Sequence, residues 1–269
     1  MVFYKYESTG NDFLLTEGPL NNPSHIAKKV CDRHFGIGAD GILYTEQSQI
    51  ADIKMHYYNS DGSIAPMCGN GLRAFVDFVY NHKIVQKTQF NVETLAGILP
   101  VNIHEDKTIS LKLGKPIFSL NKEDMLAPLE NFGYIKLDIS GTPFNVYPLF
   151  VGTLHAIVIV DSLKSIDIDT IGRRICTHER FPKHINVNFV EVIDSSHIEV
   201  TTYERGAGQT LSCGTGVSAS SVVTHLLGLT NTDVFVKVPG GNLEVIVSKE
   251  VTLKGPTNLI GIIDYRGAL

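Results

Sequence analysis

The chain has 269 residues, with 23 lysines and arginines against 28 aspartates and glutamates, so its formal net charge at pH 7 is −5. This acidic balance gives no reason to expect nucleic acid or an anionic membrane as a partner. No stretch of the sequence approaches the roughly 20 apolar residues of a membrane span. Hydrophobic residues make up 43% of the chain, enough for packed cores, and the length suits two domains.

The N-terminal residues and the cysteines indicate in which cellular compartment the protein is expected. The first residues, Met1 to Glu7, lack the basic-then-apolar layout of a secretory signal. Four cysteines occur without C-x-x-C spacing or a metal-ligand pattern, which argues for reduced thiols. We therefore expect a cytoplasmic protein without a metal site.

In chain order, strand signals outnumber helix signals. Segments that alternate or run apolar and are rich in β-branched residues predict strands, and apolar stripes at helical spacing, such as Leu72, Phe75, Phe78 and Val79, predict helices. The predicted elements are a helix over 22–33, a strand over 53–58, a helix over 71–82, strands over 89–93, 108–113 and 156–160, a helix over 165–177, a strand over 197–203, a helix over 216–227 and a strand over 243–247.

An internal repeat organises these elements. Met67-Cys68-Gly69-Asn70-Gly71 resembles Ser212-Cys213-Gly214-Thr215-Gly216, and the two cysteines lie 213 − 68 = 145 positions apart. Two further pairs keep this offset, namely Tyr58 with Tyr203 and Cys31 with Cys176. A repeat this long is far larger than a solenoid unit. It predicts a duplicated domain, with halves at 1–116 and 117–257 and with residues 258–269 packing back on the first half.

The chemistry depends on where Cys68 and Cys213 lie. Each precedes a Gly-x-Gly turn that opens a predicted helix. A helix N-terminus lowers the pKa of a thiol from about 8.5 towards neutrality or below and binds anions such as a carboxylate. One thiolate could then remove an α-proton while a thiol of the other half returns one. Cys31 and Cys176 have no glycine loop and are assigned to packing.

These motifs resemble the diaminopimelate epimerase family. The resemblance covers nearly the whole chain and is carried by Thr9-Gly-Asn-Asp-Phe13, 33–41, Tyr58-Asn-Ser-Asp-Gly62, Met67-Cys-Gly-Asn-Gly71, Ile185-Asn-Val-Asn-Phe189, Tyr203-Glu-Arg-Gly206, Ser212-Cys-Gly-Thr-Gly216 and Pro239-Gly-Gly241. It implies an α+β fold of two pseudo-symmetric domains, each a mostly antiparallel sheet rolled around a central helix, with the active site in the cleft between them. It also implies cofactor-independent epimerisation of L,L-diaminopimelate to the meso form, in lysine and peptidoglycan synthesis. The expected partner is a small amino-acid substrate, and the resemblance is compatible with a homodimer.

The resemblance assigns roles to individual residues. Cys68 would take the proton from the L,L-substrate, and Cys213 would donate on the other face. His155 and Glu204 would tune the cysteines. The expected substrate contacts are Asn11, Asn59, Gly69, Asn70, Asn186, Glu204, Arg205, Gly214 and Thr215, and with weaker support Thr153. A buried guanidinium at Arg205 would bind the distal carboxylate through two parallel hydrogen bonds.

Three positions depart from the family pattern. Ser8-Thr9-Gly10 replaces the usual Gly-Leu-Gly or Gly-Thr-Gly, and Gly41 stands where some members carry a substrate-contacting glutamine. Gly152-Thr153-Leu154-His155 replaces the usual Gly-Asn-Pro-His, which removes an asparagine from the distal part of the site. The reaction type is therefore better supported than the substrate.

The sequence also contains a segment that looks like a cofactor-binding motif. Gly36-Ile-Gly38-Ala-Asp-Gly41 matches a dinucleotide fingerprint, but that motif must follow a strand and open a helix, whereas this one follows a predicted helix and leads into an apolar run. No segment stands out as a pyridoxal phosphate lysine loop, so no cofactor is expected. Two alternatives remain open: a racemase of another amino acid such as histidine or glutamate, and a thiol-disulfide switch or ligand-binding protein without turnover.

Overall fold

The structure is a computed structural model that describes all 269 residues and divides into two compact units. Unit 1 comprises residues 1–112 and 254–269, and unit 2 comprises residues 113–253. Unit 1 contains β1 (Val2–Ser8), β2 (Asn11–Thr16), α1 (Pro23–Val30), β3 (Gly41–Glu46), β4 (Ile53–Asn59), α2 (Gly69–Asn81), β5 (Gln89–Thr94), β6 (Gly97–Ile103) and β7 (Ile109–Lys112). Unit 2 contains β8 (Ile135–Ile139), β9 (Thr142–Val151), β10 (Thr153–Val160), α3 (Ile168–Cys176), β11 (Asn186–Val192), β12 (His197–Glu204), β13 (Gly208–Thr210), α4 (Gly214–Leu226), β14 (Asp233–Val238) and β15 (Gly241–Ile246). β16 (Thr252–Gly255) lies where the chain returns to unit 1, which β17 (Asn258–Asp264) completes.

The sheet of unit 1 is mostly antiparallel. The pairs β17–β1, β1–β2, β3–β4, β5–β6 and β6–β7 are antiparallel, whereas β2–β3 and β4–β5 are parallel. Helix α1 connects the parallel strands β2 and β3, and helix α2 connects β4 and β5. This agrees with the rule that parallel neighbours need a crossover connection.

Helix α2 lies at the centre of unit 1. It contacts β1, β2 and β3 from one part of the sheet and β6 and β7 from the other. Almost all of its residues are buried, including Leu72, Phe75 and Phe78. Helix α1 packs elsewhere, where Ile26 and Val30 join Phe3 in a separate apolar cluster. A buried helix is expected to be largely apolar, but α2 also carries two charged residues, the fully buried Arg73 and the partly buried Asp77.

Unit 2 has a similar order of elements. The pairs β8–β9, β9–β10, β11–β12 and β14–β15 are antiparallel, and β10–β11 and β12–β14 are parallel. Helix α4 contacts β9, β10, β11, β12 and β15 and is buried along most of its length. Helix α3 packs through Ile175 and Cys176 against β11 and β12 in the main apolar cluster of the unit.

The predicted helices and strands are confirmed, with differences only at their ends. Helices α2 and α4 begin at Gly69 and Gly214, two residues earlier than predicted, because each cysteine itself is the N-cap. The dinucleotide-like segment 36–41 is a loop that enters β3 rather than opening a helix, as its apolar continuation predicted. Cys31 and Cys176 are both 2% exposed and pack in the two apolar clusters. The fold is mixed α+β, mostly sheet with four α-helices, and none of these helices has the length and apolar character needed to cross a membrane.

Candidate active site

Cys68 caps the central helix of unit 1. Its backbone is extended (φ −139°, ψ 123°), and its carbonyl oxygen accepts the first helical hydrogen bond, from the Leu72 N–H, at 2.8 Å. The thiol is partly exposed, whereas Gly69 and Asn70 are buried. The side chain therefore stands at the positive end of the helix dipole, beside N–H groups that the first turn leaves without helical partners.

A chain of amide hydrogen bonds fixes Asn70. The Asn70 Nδ2 donates to Asn11 Oδ1 at 2.7 Å, and the Asn11 Nδ2 donates to Asp40 Oδ2 at 2.9 Å. Because a carboxylate only accepts hydrogen bonds, Asp40 sets the orientation of the Asn11 amide. Asn11 then presents its oxygen to Asn70, so two predicted substrate contacts are held together beside Cys68.

Charged side chains hold this chain in place. Arg33 donates to both carboxylate oxygens of Asp12, at 3.1 and 2.7 Å, and to Asp40 Oδ1 at 2.8 Å. Lys5 lies 3.0 Å from Asp12. Burial acts to raise the pKa of Asp12, but the hydrogen bonds from Arg33 and Lys5 outweigh it, so the pKa is lowered and the carboxylate stays charged.

Asn59 and Gly41 lie opposite each other in the β3–β4 pair. The Asn59 Nδ2 donates to Ser63 Oγ at 3.0 Å, which holds the amide against its own turn. A Cβ built at Gly41 would lie 2.5 Å from the carbonyl oxygen of Tyr58. A glutamine at this position would therefore require a shift of the β4 backbone, so glycine here is a packing requirement of this chain.

Cys213 caps the central helix of unit 2 in the same way. Its backbone is extended (φ −126°, ψ 103°), and the Val217 N–H donates to its carbonyl oxygen at 2.8 Å. The residue is 8% exposed, and its Sγ lies 3.6 Å from Thr215 Oγ1. Thr215 thus contacts the sulfur through its side chain as well as belonging to the first helical turn with Gly214.

His155 reaches Cys213 through Thr215. It is fully buried, with Nε2 at 3.0 Å from Thr215 Oγ1 and Nδ1 at 3.0 Å from the amide nitrogen of Asn188. Burial, helped by the charge of Arg205, lowers the pKa of His155 to about 3, so the ring is neutral near pH 7. Since Asn188 donates to Nδ1, the single ring proton is on Nε2 and is donated to Thr215. The Thr215 hydroxyl hydrogen is then free to point at the sulfur.

Glu204 also acts on Cys213. Its side chain hydrogen-bonds Cys213, and its Oε1 accepts from the Thr210 hydroxyl at 2.7 Å. Burial raises the pKa of Glu204, and these two hydrogen bonds partly oppose the shift. Cys213 therefore has two polar neighbours. The carboxyl group of Glu204 can accept a proton from the sulfur, and the hydroxyl of Thr215 can donate a hydrogen bond to it.

Asn186 and Arg205 form a second group in unit 2. The Arg205 backbone N–H donates to Asn186 Oδ1 at 2.9 Å, and one guanidinium nitrogen donates to the Lys183 carbonyl oxygen at 2.9 Å. The expected burial of Arg205 is wrong, because it lies in the turn after β12 and is exposed. Thr153 is half-buried at the start of β10, directly after the turn at Gly152 (φ 67°).

The predicted site residues thus form two groups, one in each unit. Cys68, Gly69, Asn70 and Asn11 lie together in unit 1, while Cys213, Gly214, Thr215, His155 and Glu204 lie together in unit 2. No group of three or more His, Cys, Asp or Glu side chains is arranged to hold a metal ion.

The supporting residues Asn188, Thr202 and Asp40 were not predicted from the sequence. Asn188 Oδ1 accepts from the Thr202 hydroxyl at 2.9 Å, which turns its amide nitrogen towards His155. One signal was available, because Asn188 follows Asn186 by two positions in a strand and such residues share a face.

Comparison with known proteins agrees with this arrangement. The family model described as "Diaminopimelate epimerase" matches residues 3–119 and 149–260. Diaminopimelate epimerases of Carboxydothermus hydrogenoformans and Caldanaerobacter subterraneus are 39% identical over 268 residues and 42% identical over 250 residues. The first alignment covers 97% of both chains, and the second covers 91% of both.

Solved structures with low sequence identity share the fold. A phenazine biosynthesis protein of the PhzF family from Bacillus anthracis has a TM-score of 0.71 at 17% identity and covers 98% of both chains. A probable proline racemase from Agrobacterium radiobacter has a TM-score of 0.72 at 12% identity, covering 98% of this chain and 92% of the other. These likenesses concern the fold, whereas the relatives above 35% identity establish descent. With two glycine-flanked cysteines capping buried helices and a family match over most of its length, the chain belongs to the diaminopimelate epimerase family.

Proposed function

We propose that this protein interconverts L,L- and meso-diaminopimelate by moving a proton at one α-carbon without a cofactor. The observation that carries the proposal is the pair of cysteines, each the N-cap of a central buried helix and each followed by glycine. The family membership supports the same activity, because relatives that cover nearly the whole chain carry that name.

The proposed reaction uses one thiolate and one thiol. The Cys68 thiolate takes the α-proton of the L,L-substrate, the Cα–H bond breaks, and its electron pair remains on the substrate as a carbanion. The Cys213 thiol then gives its proton to the opposite face of that carbon. The cycle leaves Cys68 as a thiol and Cys213 as a thiolate, which is the form required for the reverse direction.

The first turns of α2 and α4 would bind the reacting carboxylate. Gly69, Asn70, Gly214 and Thr215 are the first residues of these helices, where the backbone N–H groups point towards the helix N-terminus. Their partial positive charge would also stabilise the carbanion, whose negative charge spreads onto the carboxylate. The Asp40–Asn11–Asn70 chain would keep this part of the site in one orientation.

The distal end of the substrate is assigned to Arg205, Asn186 and Asn59. Arg205 is exposed and engages one guanidinium nitrogen with Lys183, so its remaining N–H donors are free to bind a carboxylate. Thr153 would replace the family's asparagine with a shorter hydroxyl. We assign His155 and Glu204 to control of the Cys213 proton, in accordance with their contacts.

We also infer that the two units descend from one duplicated half, with the division near residue 116. In support, α2 and α4 begin 214 − 69 = 145 positions apart, and β3 and β11 begin 186 − 41 = 145 positions apart. Parallel and antiparallel pairs also follow the same order in each unit. A cytoplasmic location, in which four free thiols persist, and a homodimer remain part of this proposal.

Proton exchange in D₂O tests the function. The reduced enzyme, with no added cofactor, is expected to incorporate deuterium into L,L-diaminopimelate at one α-carbon while meso product appears by NMR. C68S and C213S should each lose activity by about 100-fold or more, because an alcohol is a poor acid and base near pH 7. C31S is the matched control, because Cys31 is buried away from the caps, and it should keep most of the activity.

Other outcomes identify the alternatives. Exchange into histidine or glutamate but not into diaminopimelate would keep the two-cysteine chemistry and replace the substrate, which the Thr153 departure would then explain. Absence of exchange across the panel, with ligand binding retained in C68S, would refute an epimerase and leave a binding or redox protein.

A further inference from the structure

The turn between β1 and β2 has an unusual backbone. It consists of Thr9 and Gly10, since Ser8 and Asn11 on either side of it are paired in the sheet. Both residues of the turn have a positive φ, 48° at Thr9 and 96° at Gly10. Glycine adopts such a backbone readily, whereas a β-branched residue is strained there and keeps it only when its surroundings enforce it. Thr9 is 2% exposed, so these surroundings are the interior of the protein.

Arg73 of α2 contacts this turn from the interior. It is fully buried, its Nη2 donates to the Thr9 hydroxyl at 3.0 Å, and its Nε donates to the Pro256 carbonyl oxygen at 3.1 Å. Its Nη1 has no hydrogen-bond partner, and neither hydrogen bond is with a carboxylate. Burial of a guanidinium without a paired anion is unfavourable, which favours a role for these contacts over packing alone.

Two residues of α2 hold the turn between them. Asn70 and Arg73 lie three positions apart and therefore on one face of the helix. Asn70 donates to the Asn11 side chain at 2.7 Å, and Arg73 donates to Thr9, two residues earlier in the chain. The turn is thus attached to the helix on both sides of Gly10. The contact between Arg73 and Thr9 fixes the backbone from which Asn11 reaches Asn70.

Ser8, which departs from the family pattern, adds a further contact at this turn. Its hydroxyl donates to Thr257 Oγ1 at 2.7 Å, and the Thr257 hydroxyl donates to the Glu7 carbonyl oxygen at 3.0 Å. The usual glycine has no side chain that could make this hydrogen bond. The residues on both sides of the bond are therefore held in place before the strained position at Thr9.

We infer that Arg73 is a positioning residue, which holds the strained turn at Thr9 and thereby orients Asn11 and Asn70 for the substrate. It contacts the turn and not the reacting atoms. The inference rests on the proposed function, in which Asn11 and Asn70 lie beside Cys68 and contact the substrate. A displacement of about 1 Å in such contacts is enough to slow a reaction about 100-fold.

Removal of the Thr9 hydroxyl tests the inference. T9V keeps the β-branched shape but removes the group that accepts from Arg73, so the strained turn should relax. In the free enzyme, the side-chain amide protons of Asn70, observed by NMR, should then exchange with water about tenfold faster or more. The kcat for diaminopimelate should fall about tenfold or more, with KM changed less. T9S, which keeps the hydroxyl, should retain slow exchange and most of the rate.

Thr16 provides the matched control. It is a buried threonine at the other end of β2, and its hydroxyl donates to the Val2 carbonyl oxygen at 3.0 Å. T16V therefore removes one buried hydrogen bond from the same strand without a change at the turn. It should lower the Tm as T9V does but leave the Asn70 exchange rate and kcat unchanged.

Arg73 itself is tested by rescue. In R73M, whose unbranched apolar side chain suits a buried site, Thr9 loses its donor, and the Asn70 exchange rate should rise as in T9V. Glycine is unstrained at this φ, so adding T9G to R73M should restore much of the lost rate. A purely structural role of Arg73 would leave the double variant as slow as R73M, since defects at independent sites add. If R73M fails to fold, T9V and T16V decide.

Three results would overturn the inference: an unchanged Asn70 exchange rate in folded T9V, equal losses of kcat in T9V and T16V, or no rescue of folded R73M by T9G. The inference and the proposed function fail separately. Faster Asn70 exchange in T9V, in a protein that exchanges no diaminopimelate protons, would support the role of Arg73 and refute the proposed substrate. Diaminopimelate exchange that T9V leaves unaffected would retain the function and refute the role of Arg73.

Discussion

At the scale of single residues, the side chains near Cys213 form a chain of hydrogen bonds in which each residue donates to the next one towards the cysteine. Thr202 donates to Asn188, Asn188 donates to His155, and the neutral His155 donates to Thr215. Each side chain has its donor and acceptor roles determined by the preceding one, so the Thr215 hydroxyl has only the sulfur left to receive its hydrogen. Asn188 and Thr202 therefore affect the reactive thiol although neither touches it.

Substitution of Asn188 should expose this dependence. In N188A the ring proton of His155 is free to move to Nδ1, whereupon Nε2 becomes an acceptor and competes with Cys213 for the Thr215 hydroxyl. Loss of one such buried hydrogen bond costs about 1–3 kcal/mol, so kcat should fall about tenfold or more while KM changes less. The ¹⁵N NMR shifts of His155 should report the changed tautomer. T202S retains the hydroxyl and is the control; an unaltered His155 spectrum in N188A would contradict the account.

At the scale of secondary-structure elements, the two central helices occupy similar surroundings but pack with different tightness. Gly71 and Gly216 are equivalent positions, 216 − 71 = 145 apart, in the first turns of α2 and α4. A Cβ at Gly71 would meet the ends of Leu43 and Phe13 at 3.3 Å, whereas a Cβ at Gly216 would lie 2.1 Å from Asn188 Oδ1. The closer contact is therefore in α4, whose N-cap residue Cys213 lies at the end of the hydrogen-bonded chain from Thr202 to Thr215.

This difference predicts unequal effects of the same substitution. G216A should lower the free energy of unfolding by about 1–3 kcal/mol, because overpacking displaces Asn188 from its buried position. G71A is the matched control and should cost less, since flexible side-chain ends can move and alanine favours the helix over glycine. Chemical denaturation followed by circular dichroism would measure both. Equal losses would show that the contact with Asn188 is not the cause.

At the scale of the whole molecule, the fold of unit 1 is completed by residues from the far end of the chain. Strand β17 pairs with β1 from Val2–Asp264 to Glu7–Asn258, and the N-terminal amine donates to the Tyr265 carbonyl oxygen at 3.1 Å. Arg73 illustrates the consequence, because one of its contacts is with Pro256. The position of the Arg73 guanidinium therefore depends on a residue 256 − 73 = 183 positions away.

The stability of the molecule should decrease in acid because of His155. Its pKa of about 3 in the native protein lies below the value of about 6.5 expected in the unfolded chain. The unfolded state therefore binds the extra proton between these values, so stability is full above about pH 6.5 and is lost as the pH falls. The loss from this group between pH 7 and pH 5 should be about 2 kcal/mol.

H155Q isolates this contribution. Glutamine can donate to Thr215 but does not titrate, so the stability difference between wild type and H155Q should shrink by about 2 kcal/mol between pH 7 and pH 5. Urea denaturation at the two pH values measures the difference. A constant difference would mean that the native protein accommodates a protonated His155.

Much of the architecture was determined by local sequence patterns. The four helices, six of the strands and the cysteines at the two helix N-termini were predicted, because helical periodicity, strand alternation and glycine turns act over a few neighbouring residues. Other strands were not predicted, including β8 and β14, although their buried residues also alternate. The repeat at 145 positions added the pairing of Cys68 with Cys213.

Only the tertiary structure decided which distant side chains meet. The burial of Arg73, the contact of Asn188 with His155, the Arg33–Asp12–Asp40 cluster and the exposure of Arg205 each depend on how strands and turns far apart in sequence come together. Desolvation and hydrogen-bond direction arise from these neighbours and not from the residue itself. The sequence by itself therefore determined where the two thiols lie along the chain, while tertiary packing decided which charges and hydrogen bonds surround each of them.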